Sequence, residues 1–342
     1  MFNASVYNKQ KIIAPIVPAT HPSIDLFGLT LLNFVFPNFT PIKYAKVSVP
    51  HAAKNTYHIN SFPEIFPSIP KIAARNAIKE NTYTIPSKVN FGLELETDNV
   101  DMVNVYNQVK SVLGNNWEVH KDESLTLQRN AELVSPVLQN KKDTWILIQK
   151  MGTLLERINP DYNKCSFQVN FDGSLLPTEQ DRIRFLKLYA MYEDIIYRFS
   201  KGEDEEYRDS LETYAGPIIL TLKGLVNDPS CAIEMFSNNK RYGIIFKTQK
   251  QDLIEFRTPN ATSNPILMQN YITTFYYLLK FATSNKYPKK EVDEYIDKYM
   301  RIYILEGYEK CNEEKAIKFA DMIFPKQIDK AYFLHQYLGK QK

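Results

Sequence analysis

The chain has 342 residues, 44% of them hydrophobic and 24% charged, and a formal net charge of +3. That length admits one large domain or two ordinary ones around a substantial core, and the composition is that of a soluble globular protein. So small a charge, with no block rich in Lys or Arg, argues against a dedicated nucleic-acid binder.

Cys165, Cys231 and Cys311 are odd in number, widely spaced and free of any CxxC pattern. Free thiols in a reducing compartment are therefore expected rather than a disulfide framework. No charged region, apolar stretch and cleavage site follow one another at the N-terminus. The most apolar early segment, residues 24–39, is broken by Asp25, Asn33 and Pro37 and is too short to span a bilayer. The expected location is cytoplasmic, with no membrane partner.

Ten of the 19 prolines fall before residue 90. Each fixes φ and removes a donor, so residues 1–87 are expected to form a proline-rich, extended arm with a short helix near 72–80. Its apolar content (Leu26, Phe27, Leu31, Phe34, Phe66) suits packing on the main domain or on a second subunit, which would make an oligomer. From residue 88 the pattern becomes regular. A strand over 89–96 precedes a helix capped by Asp98 and running to about Leu113. Strands over 117–121 and 131–137 follow, then a helix from Asp143 that Asn159-Pro160 ends. A strand over 166–171 leads to one long helix from Thr178 to about Lys201. Residues 211–225 read as a helix interrupted by Gly216-Pro217. Residues 242–247 and 252–258 read as a hairpin, and Asn264-Pro265 opens a long helix to about Ala282. Two or three amphipathic helices close the chain, so the expected organisation is the arm (1–87), a core (88–285) and a C-terminal helical extension (286–342). This order of strands and helices is α+β, and no GxGxxG or GxxxxGK occurs among the 11 glycines.

The informative regularity lies in the strands. Side chains alternate along a strand, so Glu94 and Glu96 face one way, roughly 7 Å apart, and Leu93 and Leu95 the other. Glu132 opposes Leu133; Glu255 and Arg257 oppose Ile254 and Phe256; Gln168 and Asn170 oppose Phe167, Val169 and Phe171. Asp122 and Ser124 follow the second strand. If these strands share one sheet, its polar face gathers Glu94, Glu96, Asp122, Glu132 and Glu255, with Arg257 as the one clear cation. Such a face would repel itself strongly, and hard divalent cations with oxygen ligands are the usual remedy. One strand of this kind is ordinarily just a solvated face; four with the same regularity point to a site.

Gly-Leu-Glu-Leu-Glu (92–96), Asp-Glu-Ser-Leu (122–125), Glu-Leu-Val-Ser-Pro-Val-Leu (132–138) and Glu-Phe-Arg-Thr-Pro-Asn-Ala-Thr (255–262) resemble, in order and spacing, the motifs of the amidoligases. That family belongs to the carboxylate–amine ligase superfamily of glutamine synthetase and γ-glutamylcysteine synthetase. The likeness covers residues 88–285. It implies a curved, mainly antiparallel sheet, a glutamine-synthetase-like half-barrel with helices on its convex face, binding ATP and two or three Mg²⁺ ions, Mn²⁺ being an alternative. It also implies metal contacts at Glu94, Asp122 and Glu132 in one group and at Glu96 and Glu255 in another, with Gln168 as a further ligand. Arg257 would sit at the transferred phosphoryl group, with Glu255 beside it in the catalytic pair. Arg208 and Asn170 would join Arg257 in holding the nucleotide. The implied activity joins a carboxylate to an amine through an acyl phosphate, with peptide or protein substrates among the candidates. Where the family has His-x-His, this chain has Gln168-Val169-Asn170, whose amides cannot carry protons as imidazole does. The alternative expectation is therefore a catalytically weak ligase-like fold serving as a binding or scaffold module. Lys240, Arg241, His120 and Cys165 lie near these motifs, and ordinary surface or structural roles are expected for them.

Overall fold

The computed structural model describes residues 85–125, 129–202, 204, 206–209, 211–225, 228–249, 251–299, 308 and 310–338. The expected arm and the short helix near residues 72–80 lie outside them, apart from the last residues before the first strand. The described residues contain a seven-stranded sheet and eleven helices, an α+β fold.

Strand β1 (Asn90–Asp98) is central. It pairs antiparallel with β3 (Asn130–Val134) on one side and β5 (Phe167–Asp172) on the other. Outside β3 lies β2 (Glu118–His120); outside β5 lie β7 (Leu253–Phe256) and then β6 (Ile244–Lys247), giving the open order β2-β3-β1-β5-β7-β6. The short β4 (Leu138–Gln139) also pairs with β1. All these pairings are antiparallel. The strand expected over 131–137 breaks after Val134, where the Ser135 N–H and Oγ turn to the Leu93 carbonyl and N–H (both 2.9 Å) and Pro136 has no N–H to continue the ladder.

The sheet's apolar face carries Leu93, Leu95, Leu133, Phe167, Val169, Phe171, Ile254 and Phe256, all buried. Among the helices that cover it are α2 (Lys142–Ile158), α3 (Glu179–Met191) and α8 (Pro265–Ala282). Trp145 of α2 meets Phe91, Phe185 of α3 meets Phe256 edge-on, and Phe275 of α8 stacks on Phe256 at 4.1 Å. Burying this face fixes which way every alternate polar side chain must point.

Several boundaries follow their local chemistry. Asn159 ends α2 in the left-handed region (φ 51°), and Asn264 caps α8 through the Ile266 N–H, with Pro265 at its first turn. Thr178 and Asp181 form a capping box at the start of α3. Two expectations need correction. Asp98 is not a helix cap: it stays in β1, paired with Asn130 and bridged to Asp161, while Asp101 caps α1 (Met102–Val112) by accepting from the Asn104 N–H. The long helix from Thr178 is two helices, because Tyr192 leaves helical geometry (φ −109°, ψ 18°) before α4 (Glu193–Ser200). The buried Glu193 carboxylate then accepts from the N–H groups of Ile218 and Ile219, at the start of α6 (Ile219–Gly224), and from Tyr308 Oη. The remaining short helices are α5 (Leu211–Tyr214) and α7 (Pro229–Met235), the latter not anticipated.

The C-terminal helices α9 (Lys289–Lys298), α10 (Glu313–Ile323) and α11 (Gln327–Leu338) pack on α3, α4 and α8. Rings of Tyr192 and Phe319, and of Phe199 and Phe333, carry this contact. Gln336 ties it down, accepting from Asn270 Nδ2 and donating to the Phe199 carbonyl. Among the described residues no helix is long and apolar enough to cross a membrane.

Candidate functional site

The register places the expected residues on one face. Glu96 is the Cα partner of Glu132 across β1 and β3, Glu94 of Gln168 across β1 and β5, and Asn170 of Glu255 across β5 and β7. Ligand oxygens of Glu96, Asp122 and Glu132 lie within 4.8 Å of one another. Asp122 is drawn in by the loop after β2, where its N–H donates to Asn130 Oδ1 and its carboxylate accepts from the Ser124 N–H.

A hydrogen-bonded network crosses this face. The Ser166 N–H and Gln168 Nε2 donate to the two oxygens of Glu96 at 2.7 and 2.9 Å. Arg257 Nη1 donates to Gln168 Oε1 at 2.9 Å and to Glu255 Oε1 at 2.6 Å, while its Nε donates to the Tyr214 carbonyl. Asn170 Nδ2 and Lys247 Nζ both donate to Glu94 Oε1 at 2.9 Å, and Lys247 also ion-pairs with Glu255. Gln168 therefore spends its amide oxygen on Arg257, and Asn170 retains a buried Oδ1 without a partner among the described residues.

Lys247 was missed in the sequence. The hairpin carries the signal: Lys247 opposes Leu253 and Ile245 opposes Glu255, so the odd positions of both strands share the polar face. The acids accordingly divide differently from the grouping the resemblance implies. Glu96, not Glu94, converges with Asp122 and Glu132, because Glu96 is the residue opposite Glu132; Glu94 goes with Glu255, because Lys247 holds both.

Electrostatics follow that division in part, since Glu94 also acts on Glu132. Burial raises the pKa of Glu255, but Arg257 and Lys247 outweigh it and hold the carboxyl below its ordinary value. Burial raises Glu96, with only partial relief from Arg208. Burial first, then the carboxylates of Glu94, Asp122 and Glu96, push Glu132 up to about 8. None of Glu96, Asp122 and Glu132 has a Lys or Arg ion pair among the described residues. Their donors are all hard oxygens, a set that fits a divalent cation such as Mg²⁺ or Mn²⁺.

Arg208 sits behind the site. It is buried, and its guanidinium donates to the backbone carbonyls of Arg257, Thr258 and Pro259, which braces the chain that carries Arg257. His120 shares the face of Glu132 by register, yet its imidazole turns to Glu118 at 2.8 Å in solvent. Lys240 and Arg241 are exposed in a turn. The buried Cys165 thiol contacts the Asp161 carbonyl, and burial pushes its pKa far up, so it is no nucleophile. At the Gly92 end of the face, a cavity of about 620 Å³ opens, lined by Glu94, Asn170, Asp172, Ser135, Val137 and Asp252 among others, with no Lys or Arg among the described lining residues.

No family model matches the chain, and no curated protein matches it either.

Proposed function

We propose that the chain is an ATP- and Mg²⁺-dependent carboxylate–amine ligase built on a sheet of the glutamine-synthetase-like half-barrel kind. The single observation that carries this reading is the convergence of Glu96, Asp122 and Glu132 within 4.8 Å on the face that also holds Arg257. Three carboxylates with no paired cation are costly unless protonated or metal-bound. Bound there, Mg²⁺ and ATP would supply the phosphoryl group and the neutralisation of its charge.

The chain's own residues contribute positioning. Glu255, Gln168 and the Tyr214 carbonyl engage Nη1 and Nε of Arg257, which leaves its Nη2 to meet a phosphoryl oxygen. Arg208 keeps the Arg257 backbone in place. In the reaction, a substrate carboxylate oxygen attacks the γ-phosphorus with ADP leaving. The amine nitrogen then attacks the acyl carbon, phosphate leaves, and the nitrogen gives up a proton. The cavity beside Glu94 suits the amine, since the acidic side chains of Glu94, Asp172 and Asp252 line it. Peptide and protein amines are candidates beside free ones.

Calorimetry tests the reading. Mg²⁺-dependent ATP binding is expected in the native chain and at least tenfold weaker in Glu132→Gln. Hydroxylamine should capture an acyl phosphate as the hydroxamate from a panel of carboxylates. ATP binding that is absent, or indifferent to both metal and Glu132, would overturn it; ATP hydrolysis without hydroxamate would point to a kinase or ATPase use of the site.

A second reading, a ligase-like fold kept as a binding module, is favoured by one observation: Gln168 and Asn170 stand where the resembled family has imidazoles, and both amides are tied into the network. It expects ATP turnover only after Gln168→His with Asn170→His.

A further inference from the structure

The two halves of the acidic face are neutralised by different means. Around Glu96, Asp122 and Glu132 there is no Lys or Arg ion pair among the described residues, and the oxygens converge as ligands do. Around Glu94 and Glu255 a protein cation is already in place. Lys247 leaves β6 and crosses the face of β7 and β5 to reach Glu94 on β1 at 2.9 Å, ion-paired with Glu255 on the way. The Glu255 side chain is fully buried, and its other oxygen is taken by Arg257 at 2.6 Å.

We propose that Lys247 is a built-in cation standing in for one divalent ion, so that the site binds a single metal, at Glu96, Asp122 and Glu132, rather than two or three. This rests on the metal-dependent ligase reading above. An ammonium is a compact point charge with three donors, and between two carboxylates it fills the space and the charge that a hard ion would fill. A second metal at Glu94 and Glu255 would have to expel Lys247 or sit against it. Two cations so close in a poorly solvated site repel strongly. The tether also removes one dependence on free metal: half of the face is neutralised at any Mg²⁺ concentration. Lys247 is thus a positioning residue that holds Glu94 at the mouth of the cavity and Glu255 against Arg257.

Titrating the full-length chain with Mn²⁺ alone, followed by calorimetry and by the paramagnetic resonance of free Mn²⁺, counts the sites. One Mn²⁺ per chain is expected for the native protein and two for Lys247→Met, whose melting temperature should rise with Mn²⁺ by more than the native protein's does. Glu94→Gln should keep its single Mn²⁺, because Glu94 is not a ligand in this arrangement; it serves as the second variant should Lys247→Met fail to fold. Two ions in the native chain would overturn the inference and leave the ligase reading standing, whereas none would overturn both. A folded Lys247→Met that still takes one ion, or a Glu94→Gln that takes none, also overturns it.

Discussion

Glu96 and Glu132 face one another across β1 and β3 as Cα partners, two carboxylates on the same side of adjacent antiparallel strands. Like charges in direct opposition destabilise a sheet. Here burial and further acids compound the cost, which sets the pH behaviour of the protein.

Glu132 carries a folded-state pKa of about 8 against an ordinary 4.5. Between those values the native state holds a proton that the unfolded chain has lost, so stability falls as pH rises from about 4.5 to about 8. Urea unfolding of the metal-free protein should show a loss on the order of 4 kcal/mol over that window. Glu132→Gln should flatten the profile, and added Mg²⁺ should restore stability most at the alkaline end, where metal no longer competes with the proton. A native profile that rises across the window would contradict the assignment.

Arg257→Lys tests whether the fork of the guanidinium matters or only its charge. The native side chain meets Glu255, Gln168 and the Tyr214 carbonyl at once, which a point charge cannot do in the same geometry. A stability loss of about 1–3 kcal/mol is expected, limited because Lys247 still pairs with Glu255. Metal-dependent ATP binding should weaken alongside it. Equal stability of the two proteins in chemical denaturation would show that the fork is dispensable.

Gly243→Ala reaches the site through the backbone. The Gly243 carbonyl accepts from the Arg257 N–H at 2.8 Å. A Cβ at this position would lie 2.6 Å from both Thr258 Cγ2 and Tyr197 Oη, and 3.0 Å from Tyr189 Oη. Either these side chains yield or the backbone just before β6 moves off residue 257, at a cost of roughly 1–3 kcal/mol. Thermal melting measures the loss; an unchanged melting temperature would mean that the tyrosines yield freely.

Much of the fold was legible because its signals are local. The two-residue period of 92–96, 168–171 and 253–257 sorts apolar from polar side chains without any knowledge of neighbouring strands, and the α+β order follows from where that period gives way to helical spacing. Asn159, Thr178 and Asn264-Pro265 act on their own backbone, so the helix ends they set stand where they were expected. Tyr192 carries no comparable signal, and the break there accompanies a buried Glu193 that serves the start of a helix more than twenty residues away.

By itself, then, the order of residues determined which side chains share a strand face and that several of those faces are acidic. Only the tertiary structure decided which strands are neighbours. That choice sets Glu96 opposite Glu132, brings Lys247 across two strands to Glu94, and turns Arg208 onto backbone carbonyls behind Arg257. The reason is physical: alternation is a property of one strand, but an ion pair depends on distances between strands, and a long cation goes wherever the register leaves an acid unpaired.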